Sequence, residues 1–386
     1  MRRSADPAAR RRLAALAAAA ALALAAGVIA GTGTGGEAGP SPGAPTAKAP
    51  ATAPDAASAD RLRVDQQVGQ VLVLAFAGTE APAYVRRALR TGRAAGVILF
   101  RENAIAAGQL RRLTGQLQAA ARGGALVSAD QEGGDVRILP WAPPALAPPD
   151  LGSPAAAQAS ARATADGLRA SGVNVDLAPV ADVAAGPGSV MAARAYPGGA
   201  GAVAAAVAAA VRGFAAGGVG ATAKHFPGLG GAEANTDDQP VDVAAAAATI
   251  AGRDLPPFQA AIRAGVPLVM ASHARYPALD PGRIASQSPA ILTSLLRGRL
   301  HFRGVIVTDS MEAAAVTAEA DVPTAALRSL RAGADLILTT GRGSYRPVYL
   351  RLLAEARRSP GFRAQVAAAA GRVLALKRSL GLAAPR

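Results

Sequence analysis

The run KHFPGLGGAEANTDDQP, residues 224–240, places a Lys-His pair, a set of glycines and then Glu233, Asn235, Asp237 and Asp238 in one short stretch. Other runs carry matching residue types: DQEGG (130–134), TDS (308–310) and the segment from Asp182 to Arg194. Carboxylates with a Lys-His pair and an arginine suit a reaction in which one ionised carboxylate attacks and a second group moves a proton, as in glycoside hydrolysis. What is missing narrows the field further. The three histidines, His225, His273 and His301, are far apart in the chain and lack metal-ligand spacing. A Ser-His-Asp triad has no nucleophile elbow to sit on, and no glycine-rich phosphate loop occurs. There is no cysteine, which excludes disulfides, thiolate metal sites, a lipid-modified N-terminal cysteine and cysteine nucleophiles. No metal or organic cofactor is implied.

These residues need elements to position them. Short apolar runs read as buried strands at 69–76, 95–100, 124–130, 173–180, 219–226, 266–273, 304–310 and 334–340. Between them lie Ala-, Leu- and Arg-rich stretches with helical spacing, such as 105–122, 154–171 and 198–216. Continuous apolar strands alternating with helices indicate a parallel sheet covered by helices. Repeated through the chain, the pattern matches a (β/α)8 barrel of the TIM type, with a doubly wound open sheet as the alternative. The third run ends in Asp130-Gln131-Glu132 and the fifth in Lys224-His225. The sixth ends in Ser272-His273 and the seventh in Thr308-Asp309-Ser310, while the fourth runs into Asp182 with Arg194 in the same loop. In a barrel the C-terminal strand ends form the active-site face, so these residues would meet at one mouth.

The composition fits such a domain. Hydrophobic residues make up 51% of the chain and aromatics only 3%, so the core must rest on Val, Leu, Ile and Ala. The net charge is +15, and every basic residue except Lys48, Lys224 and Lys377 is arginine. The arginines are scattered with no aromatic-basic stripe, so nucleic acid is not an expected partner. Anionic cell-surface polymers or lipid headgroups fit a basic exported protein better. Export is what the N-terminus suggests: Arg2, Arg3, Arg10, Arg11 and Arg12 precede the apolar run 13–30. That is a signal peptide, or a membrane anchor tethering the protein through residues 13–30. Either places the protein outside the cell or at its surface. Residues 31–60 read as a disordered Gly/Pro/Ala-rich linker, and the catalytic domain as 61–382.

Taken together, the motifs resemble glycoside hydrolase family 3, in its single-domain bacterial β-N-acetylhexosaminidase branch. The resemblance spans about residues 64–378 through GVILF (96–100), DQEGG (130–134), DLAPVADV (176–183), ARAY (193–196), KHFPG (224–228), VMASHARYPALD (269–280), SPAILTSLLRGRLHFRGVIVTDSM (288–311) and AGADLILT (332–339). It implies retaining hydrolysis of β-linked N-acetylhexosaminides, cell-wall-type sugars, through a covalent intermediate on Asp309. It also implies sugar contacts from Asp130, Arg194, Lys224 and His225. Several of these positions have a plainer reading: Asp309 as a helix N-cap, and Lys224 as the ion-pair partner of Asp176 or Asp182. His273 either lines the pocket or hydrogen-bonds within the barrel top. Trp141, the only tryptophan, either packs or stacks on a sugar. Glu132 reads as structural, bonding loop backbone, and the arginine that the family carries eight residues after Asp130 is Ile138 here, with Arg137 beside it.

The departure that matters most lies in the opening run. The resemblance implies an Asp-Ser-His triplet whose histidine donates the proton to the leaving oxygen. This chain has Asn235-Thr236-Asp237 there, and Leu229 where the motif has a second histidine. Three readings follow. Asp237 is itself the acid, held protonated by burial or by the charges of Asp309 and Asp238. Alternatively, the reaction runs with little acid help, or the barrel is a catalytically weakened carbohydrate-binding protein at the cell surface.

Overall fold

The computed structural model describes residues 56–385. The arginine-rich N-terminus, the apolar run 13–30 and most of the expected linker lie outside the described residues. The linker's end differs from expectation: Ala56–Asp60 is a helix, and Ala59 is buried with its carbonyl accepting a bond from Gln67 Nε2 at 2.9 Å. The folded region thus begins before Arg61, because Ala59 adds apolar surface to the core that a polar linker would not.

The strands are β1 (Leu72–Leu74), β2 (Gly96–Ile98), β3 (Leu126–Ala129), β4 (Val175–Asp176), β5 (Gly220–Phe226), β6 (Leu268–Ala271), β7 (Val305–Ser310) and β8 (Leu336–Thr339). They form a closed parallel barrel in chain order, in which Leu72, Val73 and Leu74 of β1 pair with Ile337, Leu338 and Thr339 of β8. Closure rules out the open doubly wound sheet and leaves no edge strand exposed. Each strand falls inside its expected apolar run.

The barrel interior is packed rather than hollow. Val73, Ile98, Leu126, Val175, Leu268, Met270, Val305, Val307, Leu336 and Leu338 form one cluster. Val373 and Leu376 of the last helix, Pro360–Ser379, join it from the end opposite the catalytic mouth. In the surrounding ring, alanine and glycine allow close helix contact. A Cβ on Gly217 would sit 2.2 Å from that of Ala165, which holds helices Ala200–Gly217 and Pro154–Ala170 together.

The last helix also carries charged side chains into the interior. Arg372 Nε donates to buried Asp335 Oδ1 at 2.7 Å, and Asp335 also takes Arg297 and the Ile306 N–H. Lys377 is buried, and its Nζ donates to Gln70 Oε1 at 2.7 Å. Among the described residues no carboxylate forms an ion pair with it. Burial lowers its pKa to about 7. The unfolded chain would hold this proton up to about pH 10.4, so the folded state binds fewer protons between pH 7 and 10 and stability rises across that interval. Lys377→Met is expected to raise the unfolding free energy by about 1–2 kcal/mol at pH 7. The gain should shrink toward pH 10 in denaturant titrations of the two proteins, and a loss of stability at pH 7 would contradict this account.

Candidate active site

Two strand ends depart from regular pairing, and both carry residues with chemistry. In β5, Ala223 pairs with Val269 but Phe226 with Ala271, so an extra residue is accommodated at Lys224-His225. In β7, Val307 pairs with Leu336 and Ser310 with Leu338, with the extra residue at Thr308-Asp309. Bulges of this kind re-aim side chains, and here His225 Nε2 comes within 3.8 Å of Asp309 Oδ2. Asp130 and Glu132 enter from the chain after β3, two residues apart and hence on one face. Asp182 and Arg194 come from the loop after β4.

At the centre lies a buried ion network. The Glu132 side chain is 1% exposed and sits 2.6 Å from Lys224 Nζ. Arg194 donates to it through two parallel bonds, Nε to Oε2 at 2.9 Å and Nη2 to Oε1 at 2.7 Å. Lys224 Nζ also donates to Asp130 Oδ1 at 2.5 Å. Burial alone would raise the Glu132 pKa, but the charges of Lys224 and Arg194 outweigh it and bring it to about 2. Burial would lower Lys224, and Asp130 and Glu132 instead hold it above its ordinary range. Lys224 therefore pairs with Asp130 and Glu132, not with Asp176 or Asp182. Glu132 binds side chains rather than loop backbone.

Asp182 has a different task. Fully buried, it accepts from the Leu229 N–H at 2.6 Å and lies 2.7 Å from His225 Nδ1. With Nδ1 turned to Asp182, the other ring nitrogen, Nε2, faces Asp309.

Above this layer, the side chains of Asp130, Arg194 and Asp309 retain 24%, 25% and 22% exposure. These three are open to a ligand, while Glu132, Lys224, Asp182 and His225 lie buried beneath them. Lys224 has two of its three N–H donors engaged by carboxylates. Burial would raise the Asp309 pKa. His225, His273, Lys224 and the Ser310 N–H (2.8 Å to Oδ1) outweigh it and hold the carboxyl below its usual range. Asp309 is not a helix N-cap, since the next helix, Ala314–Thr317, is capped by Ala313.

His273 departs from expectation. It is fully buried, leaving no surface for a sugar to touch, and its Nδ1 lies 2.7 Å from Ser286 Oγ. Burial lowers its pKa, against the opposing pull of Asp309 and Asp237. Of its two sequence readings, the hydrogen bond within the barrel top is the one realised.

The loop after β5 is tied down at both ends. At its root, Gly230 fits where a Cβ would lie 1.9 Å from Val183 O, and Ala185 N donates to Gly230 O at 2.8 Å. Leu229 is buried in the core. At the tip, Ala314 N and Ala315 N donate to the carbonyls of Asp237 and Thr236 at 3.1 and 3.0 Å. The tip therefore docks beside the segment that follows Asp309. Asn235 Oδ1 accepts from the Asp237 N–H at 3.1 Å, a turn that shapes the loop. The Asp237 side chain reaches water, yet the surrounding protein and then the charge of Asp309 raise its pKa, with the Asn235 amide opposing.

Residues 63–376 match the family described as glycosyl hydrolase family 3 N terminal domain. A beta-hexosaminidase of Stenotrophomonas maltophilia (strain R551-3) is 37% identical over 281 residues, covering 69% of this chain and 82% of its own. One of Xanthomonas campestris pv. campestris (strain B100) is 36% identical over 285 residues, covering 69% and 83%. Among solved structures, a glycoside hydrolase family 3 beta-N-acetylglucosaminidase from Paenibacillus sp. str. FPU-7 superposes with a TM-score of 0.78 at 34% identity over 83% of this chain. This chain spans 63% of that one. A beta-N-acetylhexosaminidase from Beutenbergia cavernae DSM 12333 gives 0.76 at 33% identity, covering 82% of this chain and 99% of its own.

Removing the Glu132 carboxylate leaves Lys224 and Arg194 facing each other with Asp130 as the remaining anion. Glu132→Ala is expected to cost about 3–5 kcal/mol of stability, measured by chemical denaturation, because it strands buried charge. A change below about 1 kcal/mol would show that the network does not support the site.

Proposed function

The chain belongs to glycosyl hydrolase family 3, and from that premise we propose that it hydrolyses β-linked N-acetylhexosaminides with retention, Asp309 acting as nucleophile and Asp237 as acid and base. The names of its relatives supply the substrate class. One observation carries the assignment of roles: backbone bonds from Ala314 and Ala315 to the carbonyls of Asp237 and Thr236 dock the loop tip just past Asp309, so that two carboxyl groups share one mouth, where Asp309 is held down in pKa and Asp237 is raised, partly by the charge of Asp309. Such a pair divides into an ionised nucleophile and a protonated donor.

In the first step an Asp309 carboxylate oxygen attacks the anomeric carbon, and the glycosidic bond breaks. Asp237 gives its proton to the departing oxygen. Asp130 and Arg194 grip the sugar's polar groups from the rim, while Lys224 and His225 hold the floor in register. In the second step water attacks the anomeric carbon and gives its proton to Asp237, releasing Asp309. Once the covalent ester forms, Asp309 loses its negative charge and the field that raised Asp237 weakens. Asp237 then becomes a better-ionised base as it takes up that role. The basic, apolar N-terminus supports action outside the cell or at its surface, on cell-wall-type sugars.

Wild-type protein is expected to cleave both an aryl β-N-acetylglucosaminide and N,N′-diacetylchitobiose; binding without cleavage of either would favour the weakened carbohydrate-binding protein. Asp309→Ala should abolish both activities. Asp237→Ala should slow the disaccharide about 10²–10⁴-fold and spare aryl glycosides with good leaving groups, and equal loss on both would remove Asp237 as the acid. The pH profile follows from the signs. Activity needs Asp309 ionised, so it rises through that group's lowered pKa. It needs Asp237 protonated, so it falls through that group's raised one, giving an acidic optimum. Asp237→His should move the falling limb toward about pH 6.5, where histidine titrates; an unmoved limb would assign it to another group.

A further inference from the structure

The charges of this chain are sorted by which end of the barrel they occupy. In a (β/α)8 barrel each helix returns the chain to the next strand at the face opposite the mouth. Seven such turns join β1 to β8, and six of them carry an exposed arginine in the last helical turn or the connection after it. Arg93, Arg122, Arg169, Arg263, Arg303 and Arg331 stand one each in the turns that lead into β2, β3, β4, β6, β7 and β8. The same turns hold no exposed carboxylate. Their one acid, Asp335, is buried between Arg297 and Arg372. Carboxylates near these arginines are outnumbered too: Asp65 meets Arg63 and Arg93, and Glu355 meets Arg331 and Arg358. Most acids lie at the other end, in the strand ends and strand-to-helix loops that carry Asp130, Asp182, Asp237 and Asp309.

Arginine near a helix C-terminus complements the helix dipole, but that effect alone does not produce this pattern. It would equally place acids in the first turns, and helices Ala83–Arg90, Ala107–Ala120, Pro154–Ala170, Leu255–Arg263 and Val322–Ala332 have none there. Backbone geometry gives a second sign. Among the described residues, the non-glycine residues with positive φ are Arg122 (54°) and His301 (55°). Both follow the end of a helix, where glycine fits with least strain, and both are exposed in these same turns. At Arg122 the base thus carries a cation where the local backbone favours no side chain at all.

We infer that the base of the barrel is a docking face for an anionic phospholipid surface. Arginines on successive turns around a closed barrel spread positive charge over a disc. That shape fits a plane of headgroup phosphates better than a single polymer strand lying in a groove, and each arginine within a Debye length of the plane adds to the attraction. The described chain also begins on this side. Ala59 O accepts from Gln67, one turn before Gln70, and Gln70 Nε2 donates at 3.0 Å to Gly92 O in the turn that leads into β2. Ala56–Asp60 packs against helix Pro360–Ser379, whose Val373 and Leu376 close the base. The chain that carries the apolar run 13–30 therefore enters the barrel at its basic end. Docked in this way, the molecule turns its mouth away from the bilayer. The inference rests on the export reading of the N-terminus and is independent of the catalytic roles.

Sedimentation of full-length protein with vesicles tests it. Wild type is expected to bind vesicles containing phosphatidylglycerol more strongly than vesicles of phosphatidylcholine alone, and to lose the difference in high salt. Arg90→Gln, Arg122→Gln, Arg263→Gln and Arg303→Gln together should reduce that difference at least about tenfold. Arg111→Gln, Arg112→Gln, Arg283→Gln and Arg346→Gln, at exposed positions away from the base, remove the same net charge and should leave it within about twofold. Binding to neutral vesicles through the apolar N-terminus is common to all these proteins and cancels in the difference. Lysine at the four base positions should keep the preference; a loss as large as with glutamine would make these arginines structural and overturn the inference. An equal loss in both glutamine variants overturns it by reducing the effect to net charge. So does a wild type without preference for phosphatidylglycerol, and its binding to soluble polyphosphate would then assign the charge to an anionic polymer. Cleavage of an aryl β-N-acetylglucosaminide should stay within about twofold of wild type in every variant. If no protein cleaves it, the hydrolase reading fails while the vesicle comparison still decides the docking face.

Discussion

Glu132 has lost nearly all its water and is held between Lys224 and Arg194, and the catalytic mouth is organised around that arrangement. A buried carboxylate is stable only if the attraction of its partners exceeds the loss of hydration. Here it has two cationic partners, one of them bidentate, and its pKa falls despite burial. The three residues come from the chain after β3, the loop after β4 and the end of β5. The charge balance of one pocket therefore sets the relative positions of three barrel elements. Asp130 and Arg194 project into the mouth because their other contacts are already satisfied from below.

A second layer of constraint connects this floor to the loop that carries Asp237. Asp182 holds the His225 ring and the Leu229 N–H together, so the root of the loop after β5 is bonded to the same buried carboxylate that orients the imidazole facing Asp309. The tip docks by backbone bonds beside Ala314 and Ala315, a few residues past Asp309. In the mechanism proposed above, Asp237 needs no histidine-like intrinsic pKa. Its pKa is raised by the surrounding protein and by the charge of Asp309, although its side chain keeps water; in that mechanism, the charge is removed and restored in step with the need for an acid and then a base.

Much of this was legible beforehand. The apolar runs located all eight strands, because a strand covered on both faces must be apolar along its length. The polar residues ending those runs marked the mouth, since buried strands tolerate such groups only at their ends. Glu132 was harder to read. Its spacing from Asp130 was a usable signal, as alternate residues of an extended segment share a face, but its partners lie about sixty or more residues away and only folding selects them. His273 misled for the same reason: a histidine at a strand end can face the mouth or the core, and its burial against Ser286 depends on how neighbouring loops close.

From its own residue types, the chain determines a parallel barrel, carboxylate chemistry without cysteine or metal-ligand spacing, and an aspartate, Asp237, in the run that follows Lys224-His225. These follow from local pattern and composition, which act over a few residues. The tertiary structure alone decides which charges pair and which side chains keep their water. It decides that Lys224 meets Asp130 and Glu132, that Lys377 is buried with no carboxylate partner among the described residues, and that the KHFPGLGGAEANTDDQP loop rests its tip beside Asp309. The reason is physical: desolvation and Coulomb energies depend on distances through space, and those distances exist only once the barrel has closed.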